Sequence, residues 1–110
     1  MAKGYTYILK CSDDTYYTGS TKDLIKRFSE HQMGKGANYT QKRLPVKLVY
    51  IEEFTRIDYA FNREKQIQGW SRKKKEALFK HNAAILPKLS LAYKDLNDYY
   101  KGMRSLREPQ

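Results

Sequence analysis

The sequence predicts an α+β domain in which a small three-stranded antiparallel sheet is flanked by helices. Three observations carry that expectation. Short runs rich in β-formers (YTYILKC at 5–11, TYYTG at 15–19, VKLVYIEEF at 46–54) alternate with longer stretches whose apolar residues recur at helical spacing. The first two runs are separated only by the turn-type residues SDD at 12–14, which joins them as a hairpin. A chain of 110 residues suits one domain around one core.

The elements follow in order. Residues 5–11 form the first strand and 15–19 the return strand, which Gly19 breaks. Thr21 is the expected N-cap of a helix over 22–33, with Asp23 suited to its positive end. The stretch 34–45 (GKGANYTQKRLP) has two glycines, a proline and three cationic side chains, and reads as an exposed loop. Residues 46–54 are the third strand. A helix over 56–69 ends on Gly69, and Ser71 caps a third helix over 72–84. Pro87 is a break, and 89–103 reads as a last short helix carrying Leu91, Tyr93, Leu96 and Tyr100 on its apolar side. The chain thus divides into a domain over 1–86 and a helical extension and tail over 87–110.

Lysine and arginine total 22 against 12 acidic residues, a formal charge of +10 that suits a polyanionic partner. Ten tyrosines are many for so polar a chain, and tyrosine can stack on bases or donate to phosphate. Cys11 is the single cysteine, which rules out a disulfide framework and a multi-cysteine zinc site; it is expected to pack in the first strand. No apolar window approaches the ~18 residues of a membrane span and no signal-peptide core is evident, so the expected location is the cytoplasm.

Two helices carry charge where apolar residues belong. At about 100° per residue, Ile57, Ala60, Phe61 and Ile67 gather on one face, and Glu64 projects from the middle of it. The helix over 22–33 sets its stripe with Leu24 and Phe28, yet Arg27 and His31 lie along it. A buried charge must be paired, neutralised or bound to a counter-ion. Two readings stand: an internal Arg27–Glu64 salt bridge, or a site. The hairpin adds a geometric condition. A three-residue turn puts Tyr7 and Tyr17 on one sheet face as diagonal neighbours, and a two-residue turn puts them on opposite faces.

YTYILKC, then YYTGSTKDLIKRFSEH, then NREKQI, in that order and with those gaps, resemble the motifs of the GIY-YIG nuclease superfamily over roughly residues 4–80. Its small stand-alone bacterial members, the YhbQ-like group, are the most alike; the catalytic domain of the UvrC excision nuclease of DNA repair is a more distant relative. The resemblance implies a divalent-metal-dependent endonuclease that hydrolyses DNA phosphodiester bonds, with structure-selective cutting within its range. It gives Tyr7 the role of general base or water-orienting group and Tyr17 that of partner in positioning water or phosphate. Arg27 becomes the group that stabilises the charged transition state. Glu64 becomes the single protein ligand of one Mg²⁺ or Mn²⁺ ion, and His31 matches a histidine of many members. Gly19 closes the second motif. This chain departs from the pattern in lacking the first motif's glycine, in having Thr18 for isoleucine, and in having Ser20 where UvrC-like members carry lysine, with Lys22 as a substitute.

The residue types suit that chemistry. Phosphodiester hydrolysis needs an aligned nucleophile and neutralisation of developing oxygen charge. A hard cation takes one carboxylate, several waters and a substrate phosphate, and arginine offers phosphate a bidentate fork. An ordinary tyrosine, near pKa 10, is a poor base at neutral pH, so Arg27 and the metal are expected to lower it. Lys22, Lys35, Lys42, Arg43, Arg72 and Lys73 are the candidate backbone contacts for DNA, or for RNA, with a protein partner or DNA shape selecting the substrate. The alternative is a catalytically inactive nucleic-acid-binding module of the same fold.

Overall fold

A computed structural model describes residues 2–80, and within them the chain runs β1 (Gly4–Lys10), β2 (Tyr16–Thr21), α1 (Leu24–Gln32), α2 (Asn38–Gln41), β3 (Lys47–Phe54), α3 (Ile57–Gln68) and α4 (Arg72–Lys80). The three strands form one antiparallel sheet in the order β2-β1-β3, so β2 is an edge and β1 is paired on both sides. The expected α+β class and three-stranded sheet are present. The helix expected over 89–103 lies outside the described residues.

The turn between β1 and β2 has three residues. Cys11 N–H donates to the Thr15 carbonyl at 2.8 Å and Leu9 pairs with Tyr17. Asp14 takes the left-handed conformation there (φ 69°), and Asp13 accepts from the Thr15 amide and hydroxyl. Every second residue of β1 therefore shares a face with Tyr17. Cys11 is buried just past the end of β1 rather than inside it.

The sheet has a core on each face. Tyr5, Tyr7, Leu9 and Cys11 point to one side, where Leu24 and Phe28 of α1 and Val46 and Leu48 close over them. Ile8 points to the other side, with Val49, Ile67 of α3 and Phe79 of α4. Thr6 on that second face is buried because its hydroxyl donates to the Ala60 carbonyl of α3 at 2.7 Å. Gly4 leaves room for the same helix, since a Cβ there would lie 2.6 Å from the Ile57 Cα. A bulge in β3, where Ile8 faces Tyr50 but Leu9 faces Leu48, sends Val49 to the second core while Leu48 and Ile51 stay with the first.

Three local expectations are corrected. Gly19 does not break β2, which runs on to Thr21 with Gly19 paired to Tyr7. The N-cap of α1 is Asp23, whose carboxylate accepts from the Lys26 amide at 3.1 Å, and not Thr21. Thr21 instead bonds the backbone of Asp23 at both its amide and its carbonyl, which turns the Asp23 side chain onto the helix end. The stretch 34–45 is also not all loop, because α2 forms a single turn within it.

Candidate active site

The two faces of the sheet meet around its β2 edge, and the site is built there. Tyr7 and Tyr17 come from one face, with ring centroids 6.5 Å apart. Arg27 comes from α1 and Glu64 from α3. Together with Gly19, Ser20, Thr21, Lys22, Ile57, Asp58 and Phe61 they line an open cleft of about 620 Å³. His31 is fully buried behind them, edge-on to both tyrosine rings at 5.7 and 5.3 Å.

Hydrogen bonding fixes the direction of the protons along the buried Thr40–His31–Tyr7 chain. The Thr40 hydroxyl donates to the Ala37 carbonyl at 3.1 Å, so it accepts from His31 Nδ1 at 2.8 Å. Nε2 is then the bare nitrogen, and it accepts from the Tyr7 hydroxyl at 2.8 Å; the tautomer is assigned from this network. Burial, and beside it the Arg27 charge, push the His31 pKa down from 6.5 to about 4, against an upward pull from Glu30. His31 is therefore neutral at pH 7. Two glycines press on the pair. A Cβ at Gly19 would lie 2.5 Å from the Tyr7 oxygen, and one at Gly36 would run into the His31 ring.

In the metal-free chain the expected pull of Arg27 on the phenols is present but is outweighed. Burial raises the Tyr7 pKa well above 10, the neighbouring Tyr17 adds to the rise, and Arg27 opposes it without winning. Tyr17 is also raised, by burial first and by Glu64 after Arg27's opposing pull. Desolvation outweighs one half-exposed guanidinium. In the free chain both tyrosines are neutral donors.

Glu64 is neither buried nor paired with Arg27, so the internal salt bridge is not what the chain forms. Arg27 bonds Glu30 one turn on, at 3.1 Å. Glu64 is half-buried; its Oε1 accepts from Ser20 Oγ at 2.5 Å and its Oε2 from Gln68 Nε2 at 2.7 Å. Each oxygen has capacity for a second partner, and Glu64 lines the cleft. Among the described residues no cluster of three or more His, Cys, Asp or Glu is placed to hold a metal. Of the two carboxylates that line the open cleft, Asp58 is paired with Arg56 at 3.0 Å, and Glu64 fits a hard cation that keeps most of its waters and shares a substrate phosphate.

The apolar stripe expected on α3 splits. Ala60 and Ile67 are buried, whereas Phe61 is exposed at the cleft beside Glu64. Of the six basic residues expected to meet nucleic acid, only Lys22 lines the cleft. Lys35, Lys42 and Lys73 are exposed elsewhere. Arg43 and Arg72 are engaged within the chain, with Asp13 at 2.9 Å and Asp14 at 3.1 Å, bracing the β1–β2 turn from both sides. Sequence reasoning missed Tyr39 and Thr40. Tyr39 stacks on Tyr17 at 6.2 Å and carries the Arg43 guanidinium 3.9 Å over its ring. A four-residue helix inside a glycine-rich stretch has no periodicity to reveal it. None of the described helices is long and apolar enough to cross a membrane.

A family model described as the GIY-YIG catalytic domain matches residues 3–77. A UPF0213 protein of Syntrophus aciditrophicus is 49% identical over 83 residues, covering 74% of this chain and 95% of that one. A UPF0213 protein of Staphylococcus saprophyticus is 49% identical over 75 residues, covering 68% and 92%. The solution NMR structure of the protein EF2693 from E. faecalis aligns with a TM-score of 0.51 at 32% identity, covering 74% of this chain and 86% of that one.

Proposed function

As the chain belongs to the GIY-YIG nuclease family, we propose that it is an endonuclease that cuts DNA one strand at a time with one Mg²⁺ or Mn²⁺ ion. The observation that carries this reading is the convergence of Tyr7, Tyr17, Arg27 and Glu64, from β1, β2, α1 and α3, on one cleft. A merely basic binding surface has no use for a carboxylate aimed at phosphate.

Glu64 is the residue that would hold the cation, with Ser20 and Gln68 fixing its carboxylate. When bound, the cation supplies Lewis acidity and positive charge beside the phosphate. The chain's own groups do the rest. The Tyr7 proton is committed to His31 Nε2 and Arg27 donates to the Tyr7 oxygen, which leaves its remaining lone pair to accept from an attacking water. His31, held neutral by burial, orients the Tyr7 hydroxyl while the Thr40 hydroxyl keeps the ring oriented, and the proton the water gives up leaves to solvent through the open cleft. With so high a pKa, Tyr7 does not act as a standing phenolate. It aligns the water for attack. Arg27 presents two N–H groups to the phosphate oxygens as charge builds on them. Glu30 limits its rotamers, and Tyr17 donates from the facing ring.

The test is a panel of labelled single-stranded, duplex and branched DNAs, with and without Mn²⁺. Cutting that requires the metal supports the reading. Salt-sensitive binding without any cutting assigns the chain to the inactive binding module instead.

A further inference from the structure

We propose that Phe61 is a base-stacking wall of this cleft, so that the substrate presents an unpaired nucleotide beside the phosphate to be cut. The inference rests on the nuclease reading for the position of that phosphate. Phe61 lies three residues before Glu64 on α3, and residues so spaced are neighbours on a helix surface, about 5–6 Å between Cβ atoms. Its ring is 47% exposed and lines the cleft together with Ile57. The helix does not need it for packing, because Ala60 and Ile67 fill the buried positions.

Charge complementarity identifies the occupant. The Lys65 ammonium lies over one face of the Phe61 ring, 4.7 Å from its centroid, so a base would use the other face; Lys22 and Arg27 line the cleft, beside Asp58, which Arg56 pairs, and Glu64, which the proposed cation would neutralise. An apolar peptide covering Phe61 would bring no anion to these three cations. A nucleotide brings both parts, a π face for the ring and a phosphate for the cations, which is the pairing that single-strand binders use. A fully paired duplex hides its base faces in the stack. The ring is thus reachable for a base in a single strand, a flap or a gap, and not for one inside continuous duplex. Stacking reads no base identity, so this wall selects strand structure rather than sequence.

Binding without chemistry separates this inference from the nuclease reading. Anisotropy titrations in EDTA, at fixed salt, compare a labelled DNA strand, a matched RNA strand and the paired duplex. Phe61→Ala is expected to weaken strand binding roughly tenfold, within the range known for losing one aromatic–base stack, and to leave duplex binding unchanged. Phe61→Trp is expected to restore strand binding. The tighter of the DNA and RNA strands identifies the natural source of the base. Equal effects on strand and duplex, no effect at all, or a tryptophan variant as weak as the alanine one overturns the inference. A wild-type protein that binds strands through Phe61 yet cuts nothing in Mn²⁺ supports the stacking wall and refutes the nuclease reading. One that cuts strand and duplex alike, with Phe61→Ala indifferent, refutes the wall and leaves the nuclease.

Discussion

Gly19 and Tyr7 face each other across the β1–β2 pair so closely that a Cβ at Gly19 would lie 2.5 Å from the Tyr7 hydroxyl oxygen. Tyr7 is buried and its hydroxyl is held by His31, so it cannot step aside without leaving that bond. Gly19→Ala is therefore expected to cost about 1–3 kcal/mol of stability and to lower cleavage far more than DNA affinity. Adding Tyr7→Phe removes the oxygen but keeps the ring carbon that the new Cβ would meet at 2.6 Å, so it should recover neither the melting temperature nor the activity. A Gly19→Ala protein with wild-type cleavage would remove Tyr7 from the account.

His31 sets the acid limit of the fold. Its folded pKa, near 4, lies below its ordinary 6.5. As pH falls through that window the unfolded chain takes up a proton that the folded chain refuses. The stability contributed by a neutral His31 is thus complete above pH 6.5 and lost progressively toward pH 4. An NMR titration of the His31 ring should give a midpoint near 4, with melting temperature dropping across the same window. A midpoint at 6.5 would contradict the buried, neutral ring.

Arg27→Lys keeps the charge and loses the planar fork. Cleavage should fall at least tenfold more than DNA affinity, because charge on phosphate oxygens rises in the transition state. Equal losses in both would make Arg27 a uniform binding contact.

Affinity for DNA should fall steeply between low and physiological salt as counterions are released from neutralised phosphates. Replacing Lys22 by alanine should reduce that slope by about one. Arg43→Ala and Arg72→Ala should barely change it, since both guanidiniums are already bonded within the chain.

Much of this was legible in the residues. Local alternation and spacing located the three strands and the helices carrying Arg27, His31 and Glu64, because those signals are short-range. The hairpin register was not, since residues 12–14 admit turns of either length and only the folded Asp14 conformation selects one. The fate of Glu64 was half legible. Its place beside apolar residues marked it as unusual, but a helical wheel cannot tell a core face from the wall of a cleft. Phe61 was misread as core for the same reason. The phenol pKa values escaped because burial is a property of the assembled sheet, whereas the Arg27 charge is visible in the sequence.

The central claim is that Glu64 serves a cation and not the fold. Glu64→Gln keeps the size of the side chain and an oxygen for Ser20, and among the described residues it removes no ion pair, since Arg27 is bonded to Glu30. The decisive measurement is a nicking assay in Mn²⁺ beside thermal melts in EDTA and in Mn²⁺, on wild type and Glu64→Gln. The account predicts that the variant melts within about 1 kcal/mol of wild type in EDTA, loses the Mn²⁺-induced rise in melting temperature, and cuts no DNA while still binding it. A variant that loses about 3–5 kcal/mol, as removal of one partner of a buried ion pair would, and still cuts DNA would contradict it.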